Sequence, residues 1–189
     1  GSRNSEVRLA EWKEFDLDKG IWTIPEEHQK TKDKDFERNR TKLLSAQAVD
    51  FLKHLPRIGP LVFIKRQDVG LNEPLSDMAM TEVIQALHEK KKQKDGLGWI
   101  DPNSSKRETG EKRRVTPHGF RATFRSWVES AEWKNYPKAQ EAAERMLLHE
   151  KKDNLNGAYR RYDHEAEQRE VAQAWADYCL KGIDLANYS

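Results

Sequence analysis

Apolar residues in this chain fall into short clusters separated by long polar stretches, and the spacing inside each cluster predicts its element. Val7, Leu9, Ala10 and Trp12, with Asn4 or Ser5 as the cap, predict a short helix over residues 4–12. Phe15-Asp16-Leu17-Asp18 and Ile21-Trp22-Thr23-Ile24 flank Lys19-Gly20, a hairpin signal. Pro25 ends the second strand, a polar excursion runs over 26–36, and 37–44 reads as a third strand. Ala48, Val49, Phe51 and Leu52 mark a helix over 46–55, and Leu61-Val62-Phe63-Ile64 reads as a buried strand-like segment. Residues 76–92 form an amphipathic pattern capped by Ser76 or Asp77. Residues 93–114 are polar, basic and without period, which predicts a surface loop. Further helices are predicted over 116–130, over 137–149 with Pro137 in the first turn, and over 155–163 and 165–181. The expected class is α+β, mainly α-helical, with a small three-stranded antiparallel sheet near the N-terminus.

Composition narrows this picture. A chain of 189 residues suits one domain with a real core, or two small ones. Apolar residues at 36% against charged residues at 35% give a lean core under a charged surface, with six Trp and six Phe to anchor it. Cys179 is the single cysteine, which excludes an internal disulfide and a cysteine metal cluster and fits a reducing compartment. No apolar run approaches the ~20 residues of a membrane helix and no signal peptide is present, so the expectation is a soluble, cytoplasmic protein without membrane partners.

The net charge of +2 says little, but its distribution says more. Residues 89–114 carry nine Lys/Arg against five Asp/Glu, residues 28–42 six against three, and residues 163–189 two against six. Basic stretches and an acidic end fit one side facing a polyanion, although a solvated charged surface accounts for the counts equally well.

Four local patterns carry candidate chemistry. Arg3 and Glu6, three apart, share a helix face, which in isolation is an ordinary surface ion pair. In Thr116-Pro117-His118-Gly119-Phe120-Arg121-Ala122-Thr123-Phe124-Arg125, His118 and Arg121 are also three apart and can address one anionic ligand; a helix-start histidine beside a solvated arginine is the plain alternative. His149 closes Met146-Leu147-Leu148-His149, where a lone histidine ordinarily caps a helix. Tyr159 stands in Gly157-Ala158-Tyr159-Arg160-Arg161, where a core or interface role is the simple reading.

Taken in order, Arg, His-x-x-Arg, His and Tyr resemble the active-site signature of the tyrosine recombinases, the phage-integrase family, in wording closest to integrases of prophages and genomic islands. The run His118 to Phe124 is the most specific part, and residues 15–25 and Ala174-Trp175-Ala176-Asp177-Tyr178 also resemble that subgroup. The resemblance implies Tyr159 as nucleophile, Arg3 and Arg121 as clamps on the scissile phosphate, and His118 and His149 as hydrogen-bonding and proton-handling groups. It implies that Glu6 supports the helix around Arg3. It also implies a lysine in the hairpin turn as general acid: counting from Ile24-Pro25 picks Lys30, counting back from Leu44-Ser45 picks Lys34, and Lys30 is preferred. Leu148 departs from the family, which has a small residue there. Tyr162 is a decoy nucleophile at a longer spacing from His149.

The chemistry suits these residues. Guanidinium forks meet the charge that builds on non-bridging phosphate oxygens, and losing one such donor costs roughly 3–4 kcal/mol in a preorganised site. Neighbouring arginines favour the phenolate of a tyrosine whose ordinary pKa is about 10. General acid catalysis at the 5′ oxygen is worth ~100–10,000-fold. No carboxylate cluster suggests a metal, and the expectation is no metal and no cofactor. The implied partners are double-stranded DNA attachment sites, with a homotetramer on DNA for the full-length protein and a nucleoid-associated bacterial location. The whole of 1–189 is expected to be one catalytic domain, a fragment that lacks preceding helices and N-terminal DNA-binding domains. Two alternatives stand beside the recombinase: a type IB topoisomerase-like nicking-closing enzyme, and a non-catalytic DNA-binding module of a decayed integrase.

Overall fold

Strand alternation and turn chemistry build the front of the molecule. In the computed structural model, which describes residues 1–29, 40–64, 73–130, 133, 136–147 and 165–183, helix α1 (Asn4–Arg8) leads to a 3-10 turn at Trp12–Glu14 and then to strands β1 (Phe15–Asp16) and β2 (Ile21–Ile24). The β1–β2 turn closes on the Asp16 carboxylate, which accepts the Lys19 N–H at 3.0 Å, and on Gly20, whose φ of +63° is open to glycine without strain. The pairs Phe15↔Trp22 and Asp16↔Ile21 set the register. Alternation along β2 sends Trp22 and Ile24 inward. A second 3-10 turn, Glu26–His28, follows Pro25, and β3 (Arg40–Leu43) completes an antiparallel sheet of order β1-β2-β3.

Helix α2 (Ala46–His54) starts at Ser45, whose hydroxyl accepts the Ala48 N–H at 3.2 Å. Residues 61–64 form no full strand. Leu61 makes a single antiparallel bridge to Glu11 and Val62 donates to the Ala10 carbonyl at 2.9 Å, so the segment lies strand-like along the chain after α1. Ala10, Trp22, Ile24, Leu52 and Val62 are the buried centre of this front core.

The back of the molecule is helical. Helices α4 (Gly119–Val128), α5 (Pro137–Leu147) and α6 (Glu165–Cys179) pack together, α5 touching both others. Phe124, Trp127 and Val128 from α4, Ala139, Ala143 and Leu147 from α5, Val171 from α6 and Trp133 form its core. Trp175 sets its ring edge-on to Phe124, with centroids 5.3 Å apart, and leans on Trp127 at 5.2 Å.

Polar contacts join the two halves. The Gln173 side chain accepts from the Ala46 N–H at 3.0 Å and donates to Gln47 at 2.9 Å, Gln47 donates to Asp177 at 2.6 Å, and Arg169 donates to the Lys19 carbonyl at 3.1 Å. On this side the seam between the cores is bridged by side-chain and backbone hydrogen bonds.

A third part stands apart. Helix α3 (Ala79–Asp95), which ends at Gly96 with φ +75°, has no buried residue. It is tied to α1 through Arg8, whose guanidinium meets Asp77 at 2.7 Å and the Leu75 carbonyl at 2.9 Å. Strands β4 (Ile100–Ser105) and β5 (Lys112–Arg114) form an antiparallel hairpin inside the stretch that sequence pattern predicts as a loop. The pattern fails there because the hairpin buries almost nothing and is held by backbone pairing, with Lys106 donating to the Glu111 carbonyl at 2.8 Å.

Other boundaries also shift. Helix α1 stops at Arg8 and is capped from Arg3, and α3 begins at Ala79 after Met78 rather than at a polar cap. The third strand covers four residues, and the helix predicted over 155–163 lies outside the described residues. No described helix is long and apolar enough to cross a membrane. The expected class, mainly helical with a three-stranded antiparallel sheet near the N-terminus, is the one observed.

Candidate functional site

The first cation is positioned by its own helix start. The Arg3 N–H donates to the Glu6 carboxylate at 2.7 Å, which satisfies an otherwise orphaned donor at the N-terminus of α1. Glu6 is only 1% exposed. The surface ion pair that the Arg3–Glu6 spacing allows is thus replaced by a buried carboxylate that caps the helix carrying Arg3. The guanidinium of Arg3 is half-buried, and among the described residues its Nη1 is buried without a hydrogen-bond partner.

The second cation comes from the start of α4. The Thr116 hydroxyl accepts the Gly119 N–H at 3.1 Å and launches the helix, with His118 one residue before it and Arg121 in its first turn. Phe124, one helical turn further, is buried in the back core and pins that face of α4. Arg121 then points to the seam, where its guanidinium donates to the carbonyls of Gly1 and Leu147. Burial, and next the charge of Arg3, hold the Arg121 guanidinium below its ordinary range, while Glu6 opposes both. Arg3 and Arg121, far apart in sequence, therefore share one electrostatic neighbourhood.

A third cation joins them. Lys42 lies on β3 opposite Trp22, and its ammonium donates to the Met146 carbonyl near the end of α5. Sequence reasoning counts Lys42 in the basic stretch 28–42 without singling it out. The available signal is period two: a lysine directly opposite a buried tryptophan shares that tryptophan's face of the sheet. Lys42 and Arg121 both address the last carbonyls of α5, where cations also suit the helix dipole.

The α-amino group of Gly1 gauges the result. Gly1 is exposed as a whole residue, yet its α-carbon faces Leu147 and Phe124. Its amine is pushed down to about 5, first by burial and then by Lys42 and Arg121, with Glu6 and Cys179 opposing. Burial disfavours any charge at this point of the seam, and Lys42 and Arg121 add a positive potential that Glu6 and Cys179 only partly offset.

Of the residues singled out from sequence, the structure brings Arg3, Arg121 and Glu6 together. His118 is exposed at the start of α4, and its side chain makes no hydrogen bond among the described residues. Lys30, Lys34, Leu148, His149, Tyr159 and Tyr162 lie outside the described residues. Leu147, on which Arg121 rests, is two positions before His149. The arrangement offers guanidinium groups of opposite chain origin to one small anion, in a partly desolvated seam.

Three known proteins resemble the chain over most of its length. It is 29% identical over 186 residues to the integrase of Enterobacteria phage P4, which covers 93% of this chain and 37% of that protein. It is 28% identical over 188 residues to the Escherichia coli K12 protein IntB, 93% of this chain and 41% of that one. It is 24% identical over 177 residues to the prophage integrase IntA of the same organism, 93% of this chain and 35% of that one. The chain thus spans well under half the length of each relative. No family model matches it, and no solved structure matches it.

Proposed function

We propose that this chain, a phage-integrase family member on the strength of those relatives, is the catalytic domain of a site-specific DNA recombinase that works through a 3′-phosphotyrosine. The observation that supports this most is the buried, unpartnered Nη1 of Arg3 in the neighbourhood of Arg121. A buried charged donor without a partner costs on the order of 1–3 kcal/mol or more, and two like charges add to that. A phosphate diester between them offsets both. Two carbonyl contacts leave Arg121 further N–H donors for such a ligand, since a guanidinium has five.

On this reading, Arg3 and Arg121 hold the non-bridging oxygens of the scissile phosphate. The Tyr159 hydroxyl, deprotonated by His118, His149 or water, attacks phosphorus. The bond from phosphorus to the 5′ oxygen breaks, and Lys30 delivers a proton to that oxygen. The 3′ end stays joined to Tyr159 until the 5′ hydroxyl of another strand reverses the step, with no nucleotide consumed. Glu6 keeps Arg3 in place and Lys42 fixes the end of α5 ahead of His149. The partner is double-stranded DNA, engaged as a homotetramer at attachment sites by the longer protein to which residues 1–189 contribute one domain.

Affinity comes from elsewhere. Among the described residues Lys90, Lys92, Arg107, Arg113 and Arg114 form no ion pair, and all lie on α3, β5 or the hairpin turn. They are suited to DNA backbone contacts that position without reading sequence.

A nicked suicide duplex carrying the element's junction sequence tests the reading, with EDTA present throughout. A denaturation-resistant protein–DNA adduct is expected, mapped to Tyr159 by mass spectrometry. Tyr159→Phe is expected to abolish the adduct and leave binding intact. An adduct that persists in Tyr159→Phe and disappears in Tyr162→Phe overturns the nucleophile assignment.

A further inference from the structure

Away from the seam, at the base of the β1–β2 hairpin, three metal-ligating side chains meet. One donor atom each from Glu11, Glu14 and His28 lies within 4.8 Å of the others. They reach this point through two short turns. Glu14 donates its N–H to the Glu11 carbonyl at 3.0 Å, and in a 3-10 turn residues three apart eclipse, so both carboxylates fall on one side. The Glu26–His28 turn, closed by the His28 N–H on the Pro25 carbonyl at 3.2 Å, brings the imidazole across from the far end of β2.

The setting is poor for bare carboxylates. The Glu14 side chain is 3% exposed and that of His28 12%. Trp22 donates its indole N–H to Glu14 Oε2 at 2.8 Å, which fixes the carboxylate and turns Oε1 toward the cluster. Glu14 Oε1 and His28 Nδ1 are 3.0 Å apart, yet both are buried atoms that make no hydrogen bond. That separation without hydrogen-bond alignment is close to the spacing of adjacent donors on one cation, since bonds of ~2.0–2.2 Å at a tetrahedral angle put them about 3.3 Å apart. Glu11 has one further contact, to Lys13 at 2.8 Å, and that lysine is 73% exposed and free to swing away.

We propose that Glu11, Glu14 and His28 bind one divalent transition-metal cation, with Zn²⁺ the best fit and water in the fourth position. One imidazole and two carboxylates suit a borderline cation better than Mg²⁺ or Ca²⁺, which prefer oxygen-only shells. The Trp22 indole serves as the outer partner that orients a ligating carboxylate. The cation pins the turn before β1 to the turn after β2, and so braces the hairpin just ahead of Lys30. This role is structural and independent of strand cleavage. The linear sequence hides the site because positions 11, 14 and 28 match no metal-ligand spacing; only the hairpin closes them into a set.

The test is isothermal titration of ZnCl₂ into the EDTA-stripped 189-residue chain, beside thermal unfolding with and without Zn²⁺. One equivalent is expected to bind, and the midpoint should rise by roughly 5–10 °C at a hundred-fold excess over Kd. Glu11→Gln and His28→Gln should each weaken binding at least as much as the roughly 10–100-fold that removal of an outer hydrogen-bonding partner costs, while melting near the native chain in EDTA. Two such variants keep the outcome decisive if one fails to fold. Co²⁺ in place of Zn²⁺ should give tetrahedral visible bands that His28→Gln removes. No saturable binding overturns the proposal and leaves a plain His28–Glu14 ion pair. Binding in both variants as strong as in the native chain overturns it too, by assigning the metal to other side chains.

Discussion

The cations of this protein stand in two contrasting settings. Arg3, Arg121 and Lys42 converge in the seam between two cores, half-buried and aimed at helix-end carbonyls or at nothing among the described residues. Lys90, Lys92, Arg107, Arg113 and Arg114 sit on α3 and the β4–β5 hairpin, an arm with no buried helix residue and, among the described residues, no ion pair to these side chains. The difference teaches what each is able to do. Charge in the seam is half-buried, and Arg121 and Lys42 are held by backbone carbonyls, so it is suited to act strongly on one anion at one place. Charge on the arm is exposed and screened by solvent, so each cation acts weakly on any one anion, as the proposed DNA backbone contacts require.

Three variants sharpen or break that contrast. The largest effect is expected from Arg121→Ala, which removes a preorganised donor. Cleavage at saturating DNA should fall about 100–1,000-fold with binding nearly unchanged, read by single-turnover adduct formation. Equal losses of binding and cleavage would move Arg121 into the affinity group. Next comes the combined change of Lys90, Lys92, Arg113 and Arg114 to Ala. The slope of log K against log salt should flatten by about 0.9 for each phosphate no longer neutralised, with cleavage at saturating DNA retained. A cleavage defect at saturation would tie the arm to the chemistry. The smallest effect is expected from Arg125→Ala, on the outer face of α4. Arg125 pairs with Glu129 at 2.8 Å and Glu144 at 3.2 Å and is about half-exposed. Urea unfolding should register less than about 1 kcal/mol, with cleavage unaltered. A larger loss would show that this surface pair positions α5.

Legibility in the sequence followed burial. Strand β2 was readable because Trp22 and Ile24 alternate with half-buried residues, and α4 because Phe124, Trp127 and Val128 recur on one face. The β4–β5 hairpin was unreadable because its side chains face water and leave no period. Glu6 looked like half of a surface pair, since spacing alone cannot tell an exposed carboxylate from a buried cap. Lys42 passed as one basic residue among several because its role depends on the end of α5, more than a hundred positions away.

By itself the amino-acid order determined the local elements that bury a face, the charge blocks, and the motif residues that resemble an integrase. Those depend on neighbours within a few positions, where periodicity and turn preference act. The tertiary structure alone decided that the cores meet across a seam bridged by hydrogen bonds, that Arg3 and Arg121 share it with Lys42, and that Glu11, Glu14 and His28 close around one point. Such meetings are set by how helices and sheet pack in three dimensions, and electrostatic effects depend on distance through space rather than along the chain.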